Sequence, residues 1–238
     1  MKPANWQHTY VLHRRPYRET SYLVDLFTRE SGKVSVVARG VRNSKGDKKS
    51  LLQPFQQIRI QYSGKSDLKN LTQTESYLAA IPLMGQALFC GMYANELLNR
   101  VMPAGLASEI LFDSYTETLM ALAGESDIEL PLRQFEFAIL DEMGLLGDFT
   151  VYGTQGDPVE PDGLYGWAQE EGIVPVRPGP SARGIPGFAL LSLAAGEWTP
   201  AAKKAAKIIN REALKPLLGN KPLKSRELFV PKKPVVKP

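Results

Sequence analysis

The sequence predicts an α+β protein, with a small β-barrel at the amino terminus and a mainly α-helical domain after it. Residues 1–80 contain short runs in which apolar and polar residues alternate, and this is the periodicity of half-buried strands. From Pro82 onward, apolar residues recur at helical spacing between prolines and glycines that can begin and end helices. These observations predict a barrel domain at 1–80 and a helical domain at 81–238.

Five strands are predicted in the first domain. The clearest is Gln57–Tyr62, which alternates without interruption, and Arg29–Gly32 is a turn between two others. The predicted strands cover about residues 7–14, 19–28, 33–40, 54–62 and 67–78. Five short strands separated by turn signals favour a closed barrel of the OB-fold type, which commonly binds nucleic acid across one face and its loops.

The second domain begins with three predicted helices. Pro82 and Pro103 bound the first, Ser108 can cap the second, and Pro131 can open the third. A single cysteine, Cys90, falls on the apolar face of the first helix and is expected in the core.

Glycine and proline dominate an insertion at about 148–186. We expect this insertion to be irregular, with a hairpin around 165–176. A further helix begins after Thr199, where proline occupies the first helical position. One face of that helix is basic and carries Lys204, Lys207, Arg211 and Lys215.

The charge distribution along the chain is uneven. With 43% hydrophobic and 23% charged residues the chain has the composition of an ordinary globular protein, and its net charge is +4. Residues 1–80 carry a net charge of +8, residues 81–172 one of −14 and residues 173–238 one of +10. Blocks of opposite sign indicate different partners or mutual contact, and the alternative is that they are solvated faces.

Several functional classes are disfavoured by the sequence. No apolar run is long enough to span a membrane, no secretory signal is recognised, and one cysteine cannot form an internal disulfide or a cysteine-rich zinc site. We therefore expect a cytoplasmic protein without membrane contact. Gly64-Lys65-Ser66 lacks the earlier glycine of a P-loop, and two histidines provide little material for catalysis. We expect no catalytic residue, no metal site and no cofactor.

Basic residues of the barrel give the strongest functional signal. Lys33, Ser35 and Arg39 alternate with apolar residues, which predicts a polar, basic open face on the third strand. The candidate DNA-binding residues are Arg14, Arg15, Lys33, Arg39, Arg42, Lys45, Lys48 and Lys49. Interspersed aromatic residues can stack bases, or alternatively belong to the core; these are Tyr10, Tyr17, Tyr22 and Phe27.

Arg133 is isolated in the acidic part of the chain. It is predicted on a helix beside Phe135 and Phe137, where an arginine at the rim of an apolar groove can hold a partner's carboxylate. The alternative, favoured by spacing alone, is an intrahelical pair with Glu136 or Glu129.

Four segments, in this order, resemble the RecO family of bacterial recombination mediators. They are VLHRRPYRETSYLVDLFTRESGKVSVVARGVR, YANELLNRVMP, LRQFEFAILDEMGLLGDF and LKPLLGNKPLKSRELF. The resemblance implies an amino-terminal OB-fold and a helical carboxy-terminal domain. It also implies a nucleoid-associated protein that binds single- and double-stranded DNA and anneals complementary strands. Such a protein helps to load the RecA recombinase onto strands coated by single-stranded-DNA-binding protein, together with RecR.

The resemblance also assigns roles to residues. It implies DNA contact for Lys33, Arg39, Arg42 and the loop lysines, and capture of the tail of single-stranded-DNA-binding protein at Arg133. Many family members carry a four-cysteine zinc module where this chain has residues 148–186 without cysteine, so a metal-free form is expected.

Two other classes of function stay open at this point. One is a DNA-processing enzyme, for which the sequence offers no P-loop and few histidines. The other is a protein adaptor whose OB barrel docks proteins and does not bind DNA.

Overall fold

The computed structural model describes residues 5–42, 48–124, 127–177, 179 and 182–229. Lys45, one of the candidate DNA-binding residues, lies outside these ranges. The described residues form two compact units, one of residues up to 128 together with residues from 221 onward, and one of residues 129–220. No described helix is both long enough and apolar enough to cross a membrane.

The first unit contains a closed five-stranded barrel. Its strands are β1 (Gln7–Tyr17), β2 (Ser21–Thr28), β3 (Gly32–Ala38), β4 (Ile58–Ser63) and β5 (Leu68–Ser76), and a short helix α1 (Lys48–Leu51) lies between β3 and β4. The strand order is β1-β2-β3-β5-β4, and the β3–β5 pair is parallel. This confirms the predicted OB-type barrel and its five strands.

Apolar side chains from every strand fill the barrel. Val11, Val24, Val36, Ile58 and Ile60 are fully buried, as the alternation in the sequence predicts. The β2–β3 turn requires glycine at position 32, because φ is +66° and a Cβ atom there would lie 1.9 Å from the carbonyl oxygen of Leu106.

Helices α2 (Gly85–Val101) and α3 (Glu109–Gly124) pack with the barrel in the first unit, as does the 3-10 helix η1 (Lys224–Phe229). Ser108 caps α3 as predicted, since its Oγ accepts a hydrogen bond from the backbone N–H of Leu111 at 3.1 Å. Cys90 is buried, also as predicted.

Aromatic side chains join the barrel to α3. The ring of Tyr10 lies 5.4 Å from Phe112 and 5.0 Å from Tyr115, and Phe27 lies 5.5 Å from Phe112. Edge-to-face and tilted pairs at these distances stabilise the packing beyond the area they bury. Tyr10 and Phe27 therefore belong to the core and are not available to stack bases.

The second unit contains α4 (Glu129–Glu142), α5 (Gly187–Ala194) and α6 (Pro200–Leu218). Thr199 caps α6 as predicted, because its Oγ1 accepts a hydrogen bond from the N–H of Ala202 at 3.1 Å, and Gly219 ends the helix with φ at +61°.

The insertion in this unit is more regular than the sequence suggested. It contains β6 (Val151–Tyr152), β7 (Asp157–Pro158), β8 (Leu164–Ala168), β9 (Gly172–Pro175) and β10 (Ile185–Pro186). The predicted hairpin is confirmed as β8–β9, and β10 adds to its other edge. β10 pairs with β8 through Ile185 and Tyr165, which are far apart in the sequence. Pairing of this kind leaves no signal in the neighbouring residues.

Candidate nucleic-acid interface

A polar groove lies between two loops of the barrel. It has a volume of about 780 Å³ and is formed by the β1–β2 turn, the end of β3 and the β4–β5 loop. Its lining includes Tyr17, Arg18, Arg39, Ser66 and Asn70. The corresponding loops and the strand 2–3 face are where OB-folds bind oligonucleotides. The candidate residue Arg39 lines this groove and is exposed.

Arg18 also belongs to this groove, although it is not among the DNA-binding residues predicted from the sequence. Its guanidinium lies 5.3 Å from the ring centroid of Tyr17, and its backbone has a positive φ of 53°. Non-glycine residues with positive φ are uncommon and cluster at functional sites. The basic turn Tyr17-Arg18-Glu19-Thr20 between two predicted strands was the available signal.

Arg42 lies beside the same turn. Its backbone N–H donates a 2.9 Å hydrogen bond to the carbonyl oxygen of Thr20, and its side chain is exposed. Arg18 thus lies at the same end of the barrel as Arg39 and Arg42, although 21 positions separate Arg18 from Arg39 in the sequence.

Arg14 is used to position α1. Its guanidinium donates to the carbonyl oxygen of Lys49 at 3.1 Å and to Oε1 of Gln53 at 3.3 Å, and it stacks on Tyr22 at 4.9 Å. With α1 held in this way, the side chains of Lys48 and Lys49 are exposed.

Lys33 and Arg15 lie elsewhere in the first unit. The predicted open face was wrong for Lys33 and Ser35, because α2 packs there: Lys33 Nζ donates to the carbonyl oxygen of Asn99 at 2.7 Å. Burial lowers the pKa of the Lys33 ammonium, against an opposing effect of Asp25. Arg15 is exposed and borders a different groove, between β1, α2 and η1.

Some cations of the barrel domain are paired with carboxylates, whereas others are not. Arg29 bonds Glu109 and Asp113, and Arg59 bonds Glu75. The exposed candidate residues, together with Arg18, form no salt bridge with any carboxylate in the described ranges, and we call these six residues the free cations: Arg15, Arg18, Arg39, Arg42, Lys48 and Lys49. No described carboxylate offsets the charge of the free cations, so that charge is available to a polyanion.

Arg133 lies in a buried polar cluster of the second unit. Its Nη1 donates to Oε2 of Glu136 at 2.6 Å, which is the intrahelical pair that spacing favoured. Asn210 on α6 donates to the same carboxylate oxygen at 2.7 Å. The Arg133 side chain is 13% exposed, and its Nε and the Oδ1 of Asn210 are buried without a hydrogen-bond partner among the described atoms.

One trio outside the groove resembles a catalytic arrangement but lacks its connectivity. Ser35 Oγ donates to Asp25 at 2.6 Å, and His13 Nδ1 lies 3.7 Å from the same carboxylate. A nucleophilic serine needs the imidazole as its base, whereas here the carboxylate lies between them. Among the described residues, no three histidine, cysteine or acidic side chains are grouped as a metal site requires.

Comparison with known proteins matches the chain to two family models. Residues 1–78 match the family model for the amino-terminal part of recombination protein O, and residues 84–227 match that for its carboxy-terminal part. The DNA repair protein RecO of Alteromonas mediterranea is 59% identical over 95% of this chain and 97% of its own length. The RecO proteins of Pseudoalteromonas atlantica and Haemophilus influenzae are 48% and 44% identical, and each alignment covers more than nine-tenths of both chains. The chain therefore belongs to the RecO family of DNA repair and recombination proteins.

Proposed function

We propose that this protein is a DNA-binding recombination mediator. It anneals complementary single strands and helps to load the RecA recombinase onto strands coated by single-stranded-DNA-binding protein. The observation that carries the proposal is the group of free cations at the OB-barrel groove and the adjoining β1–β2 turn, which consists of Arg18, Arg39 and Arg42. These cations have no acidic partner in the described part of the chain, whereas Arg29 and Arg59 do.

The mechanism is electrostatic. Lysine and arginine neutralise phosphates and release condensed counterions, so binding does not depend on sequence. Neutralising two strands lowers their mutual repulsion and lets base pairing begin. Tyr17 and Tyr22, which are half-buried beside Arg18 and Arg14, are the aromatic residues that can offer an edge or face to a base.

Partner binding is proposed at Arg133. The acidic, aromatic tail of single-stranded-DNA-binding protein would place a carboxylate at the guanidinium, whose Nε lacks a partner among the described atoms. Contact with the coated strand and with the coating protein together gives avidity without very tight binding at either site. RecR is the further partner in this model, and RecA is reached indirectly.

We propose a binding role without catalysis, in the nucleoid of the bacterial cytoplasm. The Ser35-Asp25-His13 connectivity supports the absence of an activated serine. Metal-dependent cleavage or nucleotide hydrolysis by the purified protein would contradict this part of the proposal.

The DNA-binding half is tested by reversing four free cations, in the variant Arg39→Glu, Arg42→Glu, Lys48→Glu, Lys49→Glu. All four side chains are exposed, so the fold should persist. Affinity for a single strand should fall, and the salt dependence should weaken by about 2.8 in log–log slope, at about 0.7 per lost phosphate contact. Unchanged affinity would remove the groove from the model and favour the adaptor alternative.

The partner half is tested by annealing two complementary strands that are already coated with single-stranded-DNA-binding protein, with and without its carboxy-terminal tail. Annealing that requires the tail supports both halves of the proposal. Arg133→Ala should then weaken tail-peptide binding, and undiminished binding would retire Arg133 as the contact.

A further inference from the structure

We propose that the outer face of α6 is a second phosphate-binding surface, which holds one DNA strand while the barrel groove holds another. The inference rests on the proposed function, because it supplies the second strand that annealing requires. It concerns the second compact unit, whereas the groove belongs to the first.

The two faces of α6 differ sharply in composition. One face is buried and consists of Ala202, Ala205, Ala206, Ile209, Asn210, Ala213 and Leu214. The opposite face, which we call the α6 basic face, consists of Lys204, Lys207, Arg211 and Lys215, all of them exposed. At about 100° per residue, these four side chains lie within an arc of about 80°.

The length of the α6 basic face suits a nucleic-acid backbone. Lys204 and Lys215 are eleven positions apart, which corresponds to about 17 Å along the helix axis at about 1.5 Å per residue. A strand in B-form geometry carries one phosphate per about 3.4 Å of axis, so about five phosphates fall within this length. Four cations on flexible stems can therefore each reach a phosphate of one strand.

The cations of the α6 basic face are available to bind phosphate. Within the described ranges, Lys204, Lys207 and Arg211 form no salt bridge. Lys215 lies 3.9 Å from Glu212, and both side chains are largely exposed, so this ion pair is weak. A solvated helix face usually mixes charges of both signs, whereas this face has four cations and one neighbouring carboxylate.

The composition of the face favours DNA over a protein partner. Its one large apolar side chain with substantial exposure is Ile208, at 37%. Protein interfaces have an apolar core inside a polar rim, and one isoleucine does not provide such a core. Phosphate contacts need only cations in a row.

The test counts strands on the intact protein. Two non-complementary single strands with different fluorophores are added at saturation and low salt, and the number of strands bound per protomer is measured by sedimentation. The test variant is Lys204→Ala, Lys207→Ala, Arg211→Ala, Lys215→Ala, in which alanine favours the helix. The matched control is Arg177→Ala, Arg183→Ala, Lys224→Ala, Arg226→Ala, which removes the same charge from other exposed positions.

We expect two strands per protomer for the wild type and the control, and one for the α6 variant. The remaining strand should keep the barrel's salt dependence and be lost on reversal of Arg39, Arg42, Lys48 and Lys49. Two strands on the α6 variant would overturn the inference, as would a wild type that binds a single strand. If the α6 variant bound two strands and lost binding to a partner protein, the inference would also be overturned, and the α6 basic face would be assigned to protein binding. No DNA binding by the wild type would instead refute the proposed function itself.

Discussion

Arg29 and Arg39 allow a direct test of the distinction between paired and free cations. Both are arginines of the barrel domain, and their partners differ. Arg29 donates from Nη2 to Asp113 at 2.9 Å and to Glu109 at 3.1 Å, and its guanidinium lies 5.8 Å from the ring centroid of Phe112. Arg39 is exposed at the groove and has no described carboxylate partner. Replacing each by glutamine removes the same charge from the chain.

The two substitutions should differ in their effect on stability. Because the Arg29 side chain is 32% exposed and its partners more so, each ion pair contributes about 0.5 kcal/mol, with a similar amount from the ring contact. Arg29→Gln should therefore lower the free energy of unfolding by about 1–2 kcal/mol, which is about 2–8 °C in Tm for a chain of this size. Arg39→Gln should leave Tm unchanged.

DNA binding should show the reverse pattern. Arg39→Gln should reduce the log–log salt slope of single-strand binding by about 0.7, and Arg29→Gln should leave it unchanged. Fluorescence anisotropy over a range of salt concentrations measures the slope, and thermal unfolding followed by circular dichroism measures Tm. If Arg29→Gln reduced the slope as much as Arg39→Gln and left Tm unchanged, pairing with carboxylates would not be what selects the DNA contacts.

Three further predictions concern the frame that supports these sites. Asn95→Ala should lower the free energy of unfolding by about 2–4 kcal/mol, since buried Asn95 donates to two β1 carbonyl oxygens and accepts from Tyr115. Its chemical denaturation should be compared with that of Asn220→Ala, at an exposed position, and an unchanged midpoint for Asn95→Ala would contradict the prediction. Thr199→Ala should lower the free energy of unfolding by about 1 kcal/mol through loss of the α6 cap, and Thr199→Ser should restore most of this; equal midpoints for the two variants would argue against the cap. Burial raises the pKa of Tyr115 well above its ordinary value, so the phenol ionises at lower pH in the unfolded chain than in the folded one. The free energy of unfolding should therefore fall as pH rises above about 10. Tyr115→Phe should flatten this decline, and an equally steep decline in the variant would refute the assignment.

Local signals were sufficient for most of the fold. The alternation in Gln57–Tyr62 predicted β4, and the Ser108 and Thr199 caps predicted the starts of α3 and α6. Each of these signals depends on neighbouring residues, which is why it can be read from the chain. The bridge from Ile185 to Tyr165 depends on residues twenty positions apart, and the expectation of an irregular insertion missed it.

The sequence predicted that the candidate site consists of basic residues of the barrel, but it did not show which basic residues belong to the site. Basic residues in the barrel segment were evident from the sequence, whereas their division into paired and free sets was not. Lys33 illustrates the difference, because its strand position indicated a solvent-facing side chain and the structure gives its ammonium the carbonyl oxygen of Asn99. Arg18 illustrates the opposite case. The sequence shows only a single arginine in a turn, whereas the structure places it in the same groove as Arg39.

The order of amino acids is sufficient to predict the barrel, most of the helices and the sign of the charge on each part of the chain. Periodicity, caps and composition act over a few residues and are therefore contained in the order of amino acids. Which barrel cations pair with a carboxylate and which do not is a property of the tertiary structure alone. Whether a guanidinium is neutralised depends on carboxylates brought near by folding, as Asp113 is brought to Arg29, 84 positions away in the chain.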